Sequence, residues 1–430
     1  MAQSFGTGGA TGSSIGIQFN DHFWSKVAVT EARKIKTFSQ LGSAEVQPKH
    51  YGDTIKKYVE IPILDERNIN DQGIDANGAK LIAGKWYAYD ASGAQLGEYD
   101  TQHEAKAAAG DTGSILSGNG NLFGGSKDIS VQNGAFAPLT EEGGVVNGVG
   151  MKRLMVEAQV AEYGIHMTFT KRSLDMDTEK GLLTRYAKEL GVLQGDQREA
   201  MIRNGLIGAS EQNRVYSGDA TAIDEIGSGD TLTYGDLRMM DKSLKDARCP
   251  KDTALNDGSK KYGTTPIGKA RYVYVGEEAL PTLEDMEHNG VNIWDPVENY
   301  ADGTNTAEGE IGRIGAFRFI EVAEMPNYSG QGADTTDDVD DEDVANRYTS
   351  IGADGKERYD VFPILFVGST SFASVGFQGD VARVTTVMPK ADAYNDVFGK
   401  KGAVSISHYF GMLYLRPEWI RQIACSMKMV

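Results

Sequence analysis

The residues able to do chemistry are few and scattered. Six histidines, His22, His50, His103, His166, His288 and His408, never recur as His-x3-His or His-Glu-x2-His. Those are the spacings that place two zinc ligands on one helix face. Two cysteines, Cys249 and Cys425, exclude a disulfide scaffold and a four-thiolate zinc site. Their expected state is two reduced, buried thiols. Gly120 to Lys127 approaches a phosphate-binding loop, yet serine precedes lysine where the loop needs lysine first. Gly368-Ser-Thr-Ser371 misses the spacing of a nucleophile elbow.

Seven acids, Asp334, Asp337, Asp338, Asp340, Asp341, Glu342 and Asp343, crowd into ten residues without the central glycine and final glutamate of a calcium loop. Like charges at that density predict a solvated loop, with weak divalent-cation binding as the minority alternative. His166 and His408 lie in strand-like runs, where satisfied structural roles are expected. No catalytic, cofactor-binding or metal residue is assigned, and no cofactor is expected. Carboxylates that meet only in space would carry no sequence signature, so an unrecognised acidic enzyme stays open as an alternative.

Periodicity lays out the elements around these residues. Residues 1–20 are rich in Gly and Ser and read as a flexible arm. Residues 21–50 space Phe23, Trp24, Val27, Val29 and Ile35 as a short helix would. The β-branched run 54–64 predicts a strand. Two strands at 84–90 and 94–100 precede Thr101-Gln-His-Glu104, a capping box that opens a short helix over 102–109. This ββα insert is too small for much core of its own. Residues 151–170 alternate on two arms about a bend at Tyr163-Gly164.

A helix over 177–207 is predicted next, capped by Asp177, with Leu183, Tyr186, Leu190, Leu193, Met201 and Ile202 on its apolar stripe. Gly191 and Gly195 predict a kink or a close helix contact. Further on, 234–248 reads as an amphipathic helix and 280–288 as a short one. Strands are predicted at 271–275, 314–322 and 361–367, with Pro363 pushing the last towards a sheet edge. Two strand-like runs close the chain, SISHYFGMLYL and WIRQIACSM. No repeat of 20–50 residues indicates a solenoid or propeller.

Composition narrows the class. The net charge is −18 and 52 of the 430 residues are glycine. The acidic balance argues against a freely diffusing nucleic-acid binder but not against a container that need not grip its contents. The glycines predict many turns and flexible joints. No apolar run reaches the ~20 residues a membrane helix needs. The basic-poor first nineteen residues are unlike a signal or transit peptide. A soluble product made in the cytoplasm is expected, without a membrane partner.

The order of these parts resembles the HK97-like fold of tailed-phage coat proteins, an α+β architecture with N-arm, E-loop, long spine helix, peripheral and axial domains. More closely, the chain resembles the N4-type phage major capsid protein family. Carrying this are Pro138–Glu141, Ala161–Ile165, Thr168–Leu174, Gly309–Met325, Asp396–Gly402 and His408–Pro417. The resemblance implies an N-terminal arm over 1–53 and an E-loop region over 54–170 with the ββα insertion at about 78–110. It further implies a spine helix and peripheral domain over 171–233, an axial domain over 234–402, and return strands over 403–430. The implied function is a major capsid protein that self-assembles into hexamers and pentamers of an icosahedral head, not an enzyme. Implied partners are other copies of the chain, a portal protein, a separate scaffolding protein, decoration proteins, and packaged double-stranded DNA held without sequence-specific contacts. The implied location is the virion, after assembly in the bacterial host cytoplasm. A shell of a cellular encapsulating compartment is the alternative on the same fold.

Overall fold

The computed structural model describes residues 37–63, 81, 85–90, 92, 94–110, 114–117, 150–176, 181–251, 270–297, 307–335, 346–378, 382–391 and 396–429. The arm at 1–20, the apolar positions 23–35, Asp177 and the loop at 120–127 lie outside them. In chain order the strands are β1 (Ser43–Gln47), β2 (Thr54–Ile63), β3 (Trp86–Tyr89), β4 (Gln95–Tyr99), β5 (Ser114–Ser117), β6 (Gly150–Gln159) and β7 (Ala161–Thr170). Then come β8 (Arg214–Tyr216), β9 (Arg271–Val275), β10 (Glu287–His288), β11 (Val291–Asn292), β12 (Asp295–Pro296), β13 (Glu310–Ile314) and β14 (Phe317–Glu321). The last are β15 (Thr349–Ile351), β16 (Glu357–Tyr359), β17 (Phe362–Val367), β18 (Phe372–Phe377), β19 (Arg383–Val387), β20 (Lys401–Tyr414) and β21 (Ile420–Cys425). The helices are α1 (Gln102–Ala109), α2 (Lys171–Met176), α3 (Leu182–Ser210), α4 (Tyr234–Asp246) and α5 (Leu280–Glu284).

The chain divides into two compact units. Unit 1 takes residues 1–55, 157–205 and 372–413; unit 2 takes 56–156, 206–371 and 414–430. Both are discontinuous in sequence, so long-range strand pairing, not local order, holds each together.

In unit 1 the fourteen-residue β20 is the organising strand. It pairs antiparallel with β7 from Lys401↔Thr170 to Phe410↔Ala161, and with β19 from Arg383↔Ser407 to Val387↔Ala403. Strand β18 joins the same sheet and carries β1 in parallel register. Alternate residues of β20, Gly402, Val404, Ile406, His408 and Phe410, are buried. On them lies α3, whose Tyr186 and Leu190 pack with Phe169, Val404 and Ile406. Gly402 is required there, because a Cβ would fall 2.5 Å from the Phe169 ring.

Several expectations change here. The two arms of 150–170 break at Val160 rather than at Tyr163-Gly164, which stay in register opposite His408 and Ser407. The long helix starts at Leu182 and runs through Gly191 and Gly195 to Ser210, ~43 Å at 1.5 Å per residue. Before it, Thr170 and Ser173 exchange hydrogen bonds, Ser173 N–H to Thr170 Oγ1 and Thr170 N–H to Ser173 Oγ, and this local cap starts the six-residue α2. Leu193, expected on the apolar stripe, is 41% exposed. Within 21–50 the described part holds a strand, β1, stabilised by its pairing with β18; the positions whose spacing suggested a helix, 23–35, lie outside the described residues.

Unit 2 is built on a seven-stranded sheet in the order β12-β13-β14-β9-β17-β21-β8. Helix α4 packs its buried Leu237, Met240 and Leu244 into one cluster with Val273, Phe319, Phe366 and Ile423 of the sheet. Phe317 meets Phe366 edge-to-face with centroids 5.0 Å apart, a favoured aromatic geometry. Thr233 and Asp236 form the capping box that starts α4. Buried Asp236 also accepts from Ser217 Oγ at 2.7 Å.

Pro363 does not push β17 to an edge. The strand lies between β9 and β21, but β9 pairs only with Leu365–Val367, so nothing on that side needs an N–H from residue 363. The strand expected at 314–322 is β14, and a turn at Gly315 with φ +58° joins it to β13, a strand that sequence reading did not separate. Helix α5 stops at Glu284, and β10–β11 follow about Asn289 and Gly290, both at positive φ as a type I′ turn demands.

Two smaller assemblies complete unit 2. The predicted pair of strands and helix are present, but β5 adds a third strand, giving the order β4-β3-β5. Thr101 caps α1 by accepting from the Glu104 N–H. The core between them is small: Ala88, Ala105 and Ala109 with Trp86, Tyr99 and Ile115. Strands β2 and β6 form a separate two-stranded ribbon.

Candidate functional site

The residue types that could do chemistry stay apart. His50, His103, His166 and His288 are exposed on different elements. Among the described residues no three His, Cys, Asp or Glu gather as metal ligands. Cys249 and Cys425 are free and buried, and burial pushes both thiols up. A thiol kept protonated in this way is a poor nucleophile. Asp334, the first acid of the crowded run, is not solvated as expected. It is buried, pairs with Lys356 and bridges Arg358 in the backbone. The acids at 337–343 lie outside the described residues.

His408 is buried but not satisfied. It is 3% exposed, and neither ring nitrogen has a hydrogen-bond partner among the described residues. The stripe of α3 that meets β20 turns polar here, with Gln197 and Arg198 following Leu190. Arg198 donates to Ser374 Oγ at 3.1 Å and lies 5.7 Å from the Phe410 ring centroid, while its Nε has no partner among the described residues. The Tyr163 ring stands 5.9 Å from His408. Burial first, then the Arg198 cation, hold the imidazole pKa below its ordinary value.

The other notable feature is surface that ought to be covered. On the β2–β6 ribbon Lys56, Tyr58 and Glu60 are exposed on one strand, and Arg153, Met155 and Glu157 on the other. Arg153 pairs with Glu60 at 2.9 Å and lies over the Tyr58 ring, so the face is ordered without being buried. A two-stranded ribbon is marginal by itself in water. In unit 1, all five residues of β19 are exposed, and among the described residues β19 pairs only with β20. Next to it Phe398 is 79% exposed and Val397 64%. Sequence reading missed this patch. Its only signal is the apolar Val397-Phe398 pair in a Gly/Lys-rich turn, which looks like any loop until its exposure is known.

Residues that carried the family resemblance come together in unit 1. Ala161–Ile165 stands opposite Ile406–Phe410, residue for residue. Asp396 accepts from the Lys401 N–H at 2.6 Å, and such backbone donors hold its carboxyl below the usual range. No family model matches the chain. It is 34% identical over 427 residues to the major capsid protein of Pseudomonas phage KPP21, covering 96% of this chain and 94% of that protein.

The chain belongs to the phage major capsid protein family.

Its fold is similar to that of the Ralstonia phage GP4 capsid, with a TM-score of 0.53 at 11% identity over 95% of each chain. It is equally similar to the Cyanophage Pam1 capsid, with a TM-score of 0.53 at 12% identity over 95% and 96% of the two chains. The architecture of this major capsid protein is the HK97-like capsid fold, of mixed helix and sheet. Its role is that of a shell subunit.

Proposed function

We propose that the chain assembles with copies of itself into hexamers and pentamers of an icosahedral phage head around double-stranded DNA. The observation that carries this is the exposed β2–β6 ribbon, an ordered element with one face uncovered in the single chain. Such a face gains stability only against a neighbour, and obligate interfaces often exceed ~2,000 Å². Residues 1–53 serve as the arm, 54–170 as the E-loop region, and 171–233 as spine helix and peripheral domain. Residues 234–402 serve as axial domain and 403–430 as return strands. The N4-type branch of the family is the best fit to the motifs at 161–174 and 396–417.

The subunit works without catalysis or cofactor. It meets a portal protein, a separate scaffolding protein and decoration proteins, and touches packaged DNA without reading its sequence. Assembly takes place in the bacterial host cytoplasm and the product is the virion. Expression with the portal and scaffolding genes, followed by negative-stain electron microscopy, tests this. Closed particles of uniform size are the expected result. A protein that stays strictly monomeric under those conditions overturns it.

A further inference from the structure

Five cationic side chains converge where β7 passes into α2 and where β20 begins: Lys171, Arg172, Lys390, Lys400 and Lys401, all exposed. The backbone gathers them. The Lys171 N–H donates to the Lys400 carbonyl at 2.8 Å, and Lys401 stands opposite Thr170. Gly399, at φ +58°, lets the turn lie against Lys390 and Ala391, where a Cβ would fall 2.7 Å from the Ala391 nitrogen. Asp396, an acid in the same turn, already accepts the Lys401 N–H. Among the described residues Lys171, Lys390, Lys400 and Lys401 form no ion pair. Lys400 instead holds its ammonium 5.0 Å from the centre of the exposed Phe398 ring. Beside it Val387 is 57% and Met388 54% exposed.

The charge of the chain is divided unevenly. Unit 1 has sixteen Lys and Arg against fifteen Asp and Glu, and unit 2 has twenty-seven against forty-six. The geometry points to this basic, apolar-rimmed end of unit 1 as a docking surface for the acid-rich unit 2 of another copy of the chain. The inference rests on the reading that copies assemble, and it adds which surface of unit 1 takes part and the charge of the partner it meets. Clustered opposite charges steer encounter and set register, and their effect falls with ionic strength. The apolar rim decides between occupants. A phosphate backbone would neutralise the lysines but leave Phe398, Val387 and Met388 bare, whereas a protein surface covers both.

The test uses purified full-length protein, with assembly followed by light scattering and electron microscopy at ~0.05 and ~0.5 M salt, well either side of the usual screening range. Wild-type assembly should slow as salt rises. Combined Lys390→Glu, Lys400→Glu and Lys401→Glu should slow it at least ~10-fold at low salt and remove most of the salt dependence. The matching arginine substitutions should keep the wild-type rate. Circular dichroism shows whether the glutamate variant folds. If it does not, single Lys400→Gln is measured the same way, with a slowing of roughly 2-fold expected. A folded variant assembling at the wild-type rate with wild-type salt dependence overturns the docking surface, while wild-type particles in the same experiment leave the shell-subunit reading standing. Unchanged assembly with lost binding of a short DNA duplex also overturns it, in favour of nucleic acid. Wild-type protein that never assembles removes both.

Discussion

In unit 2 the seven-stranded sheet rests on a continuous apolar layer, from Leu237 and Met240 on α4 to Phe366 and Ile423 on the sheet. In unit 1 the layer between α3 and β20 begins the same way at Leu190 and Ile406, then turns polar at Gln197, Arg198 and His408. The unit with the apolar core carries the chain's negative charge, and the unit with the polar break is nearly neutral. Apolar burial gains with area whatever surrounds it, so unit 2 can tolerate strong self-repulsion at its surface. A buried polar layer gains only if its members are satisfied, and this one is not. Unit 1 therefore holds a buried titratable group, His408, without a hydrogen-bond partner among the described residues.

The largest effect should come from the apolar layer itself. Phe366→Ala removes a fully buried ring that contacts Phe317 and should cost about 3–5 kcal/mol in chemical denaturation. Leu190→Ala in unit 1 should cost about 2–3 kcal/mol, because the next turns of α3, residues 191–200, are at most half-buried. A larger loss from Leu190→Ala than from Phe366→Ala would break the comparison. Asp236→Ala should cost about 1–2 kcal/mol, since it removes one partner of the capping box and the acceptor of the Thr233 N–H, while the Ser217 hydroxyl keeps the Thr231 carbonyl.

The acid response sharpens the contrast further. His408 faces Arg198 on α3, itself bonded to Ser374 on β18, and Tyr163 on β7, with Glu199 on α3 already accepting from the Phe38 and Ser39 N–H groups. The folded pKa lies below the unfolded value of ~6.5, so the unfolded chain takes up the proton first. Stability is therefore whole above ~6.5 and falls as pH drops through the window towards the folded value. His408→Gln should flatten the dependence of the melting temperature on pH in that window; an unchanged slope would assign the acid response elsewhere. The smallest effect is expected at Arg153→Ala on the ribbon. Its pair with Glu60 is open to solvent, so the free subunit should lose less than ~0.5 kcal/mol by thermal denaturation.

Elements with strong local signals were legible without coordinates. Thr101 is a side-chain oxygen placed to accept a free N–H at the start of a helix, and it does so. The strand-like run SISHYFGMLYL lies almost wholly within β20, Lys401–Tyr414. What went unread or read otherwise depended on distant partners. Strand β1 exists because β18 lies beside it, 329 residues from Ser43 to Phe372 along the chain. Pro363 is central because β9 is short. Asp334 is buried because Lys356 reaches it, which no count of neighbouring acids reveals.

The same division holds for function. Residue order alone was enough to resemble a phage shell protein, because assembly elements are long, periodic and ordered along the chain. Chain chemistry also determined the excess of acid and the lack of a recognisable motif among its few reactive groups. Only the tertiary structure decided which surfaces stay uncovered. Exposure of Tyr58, Phe398 and the five residues of β19 is set by what packs above them, and that is a property of the fold. The orphaned nitrogens of His408 and the convergence of Lys171 with Lys400 have the same origin, since pairing of β7 with β20 brings together side chains more than two hundred residues apart.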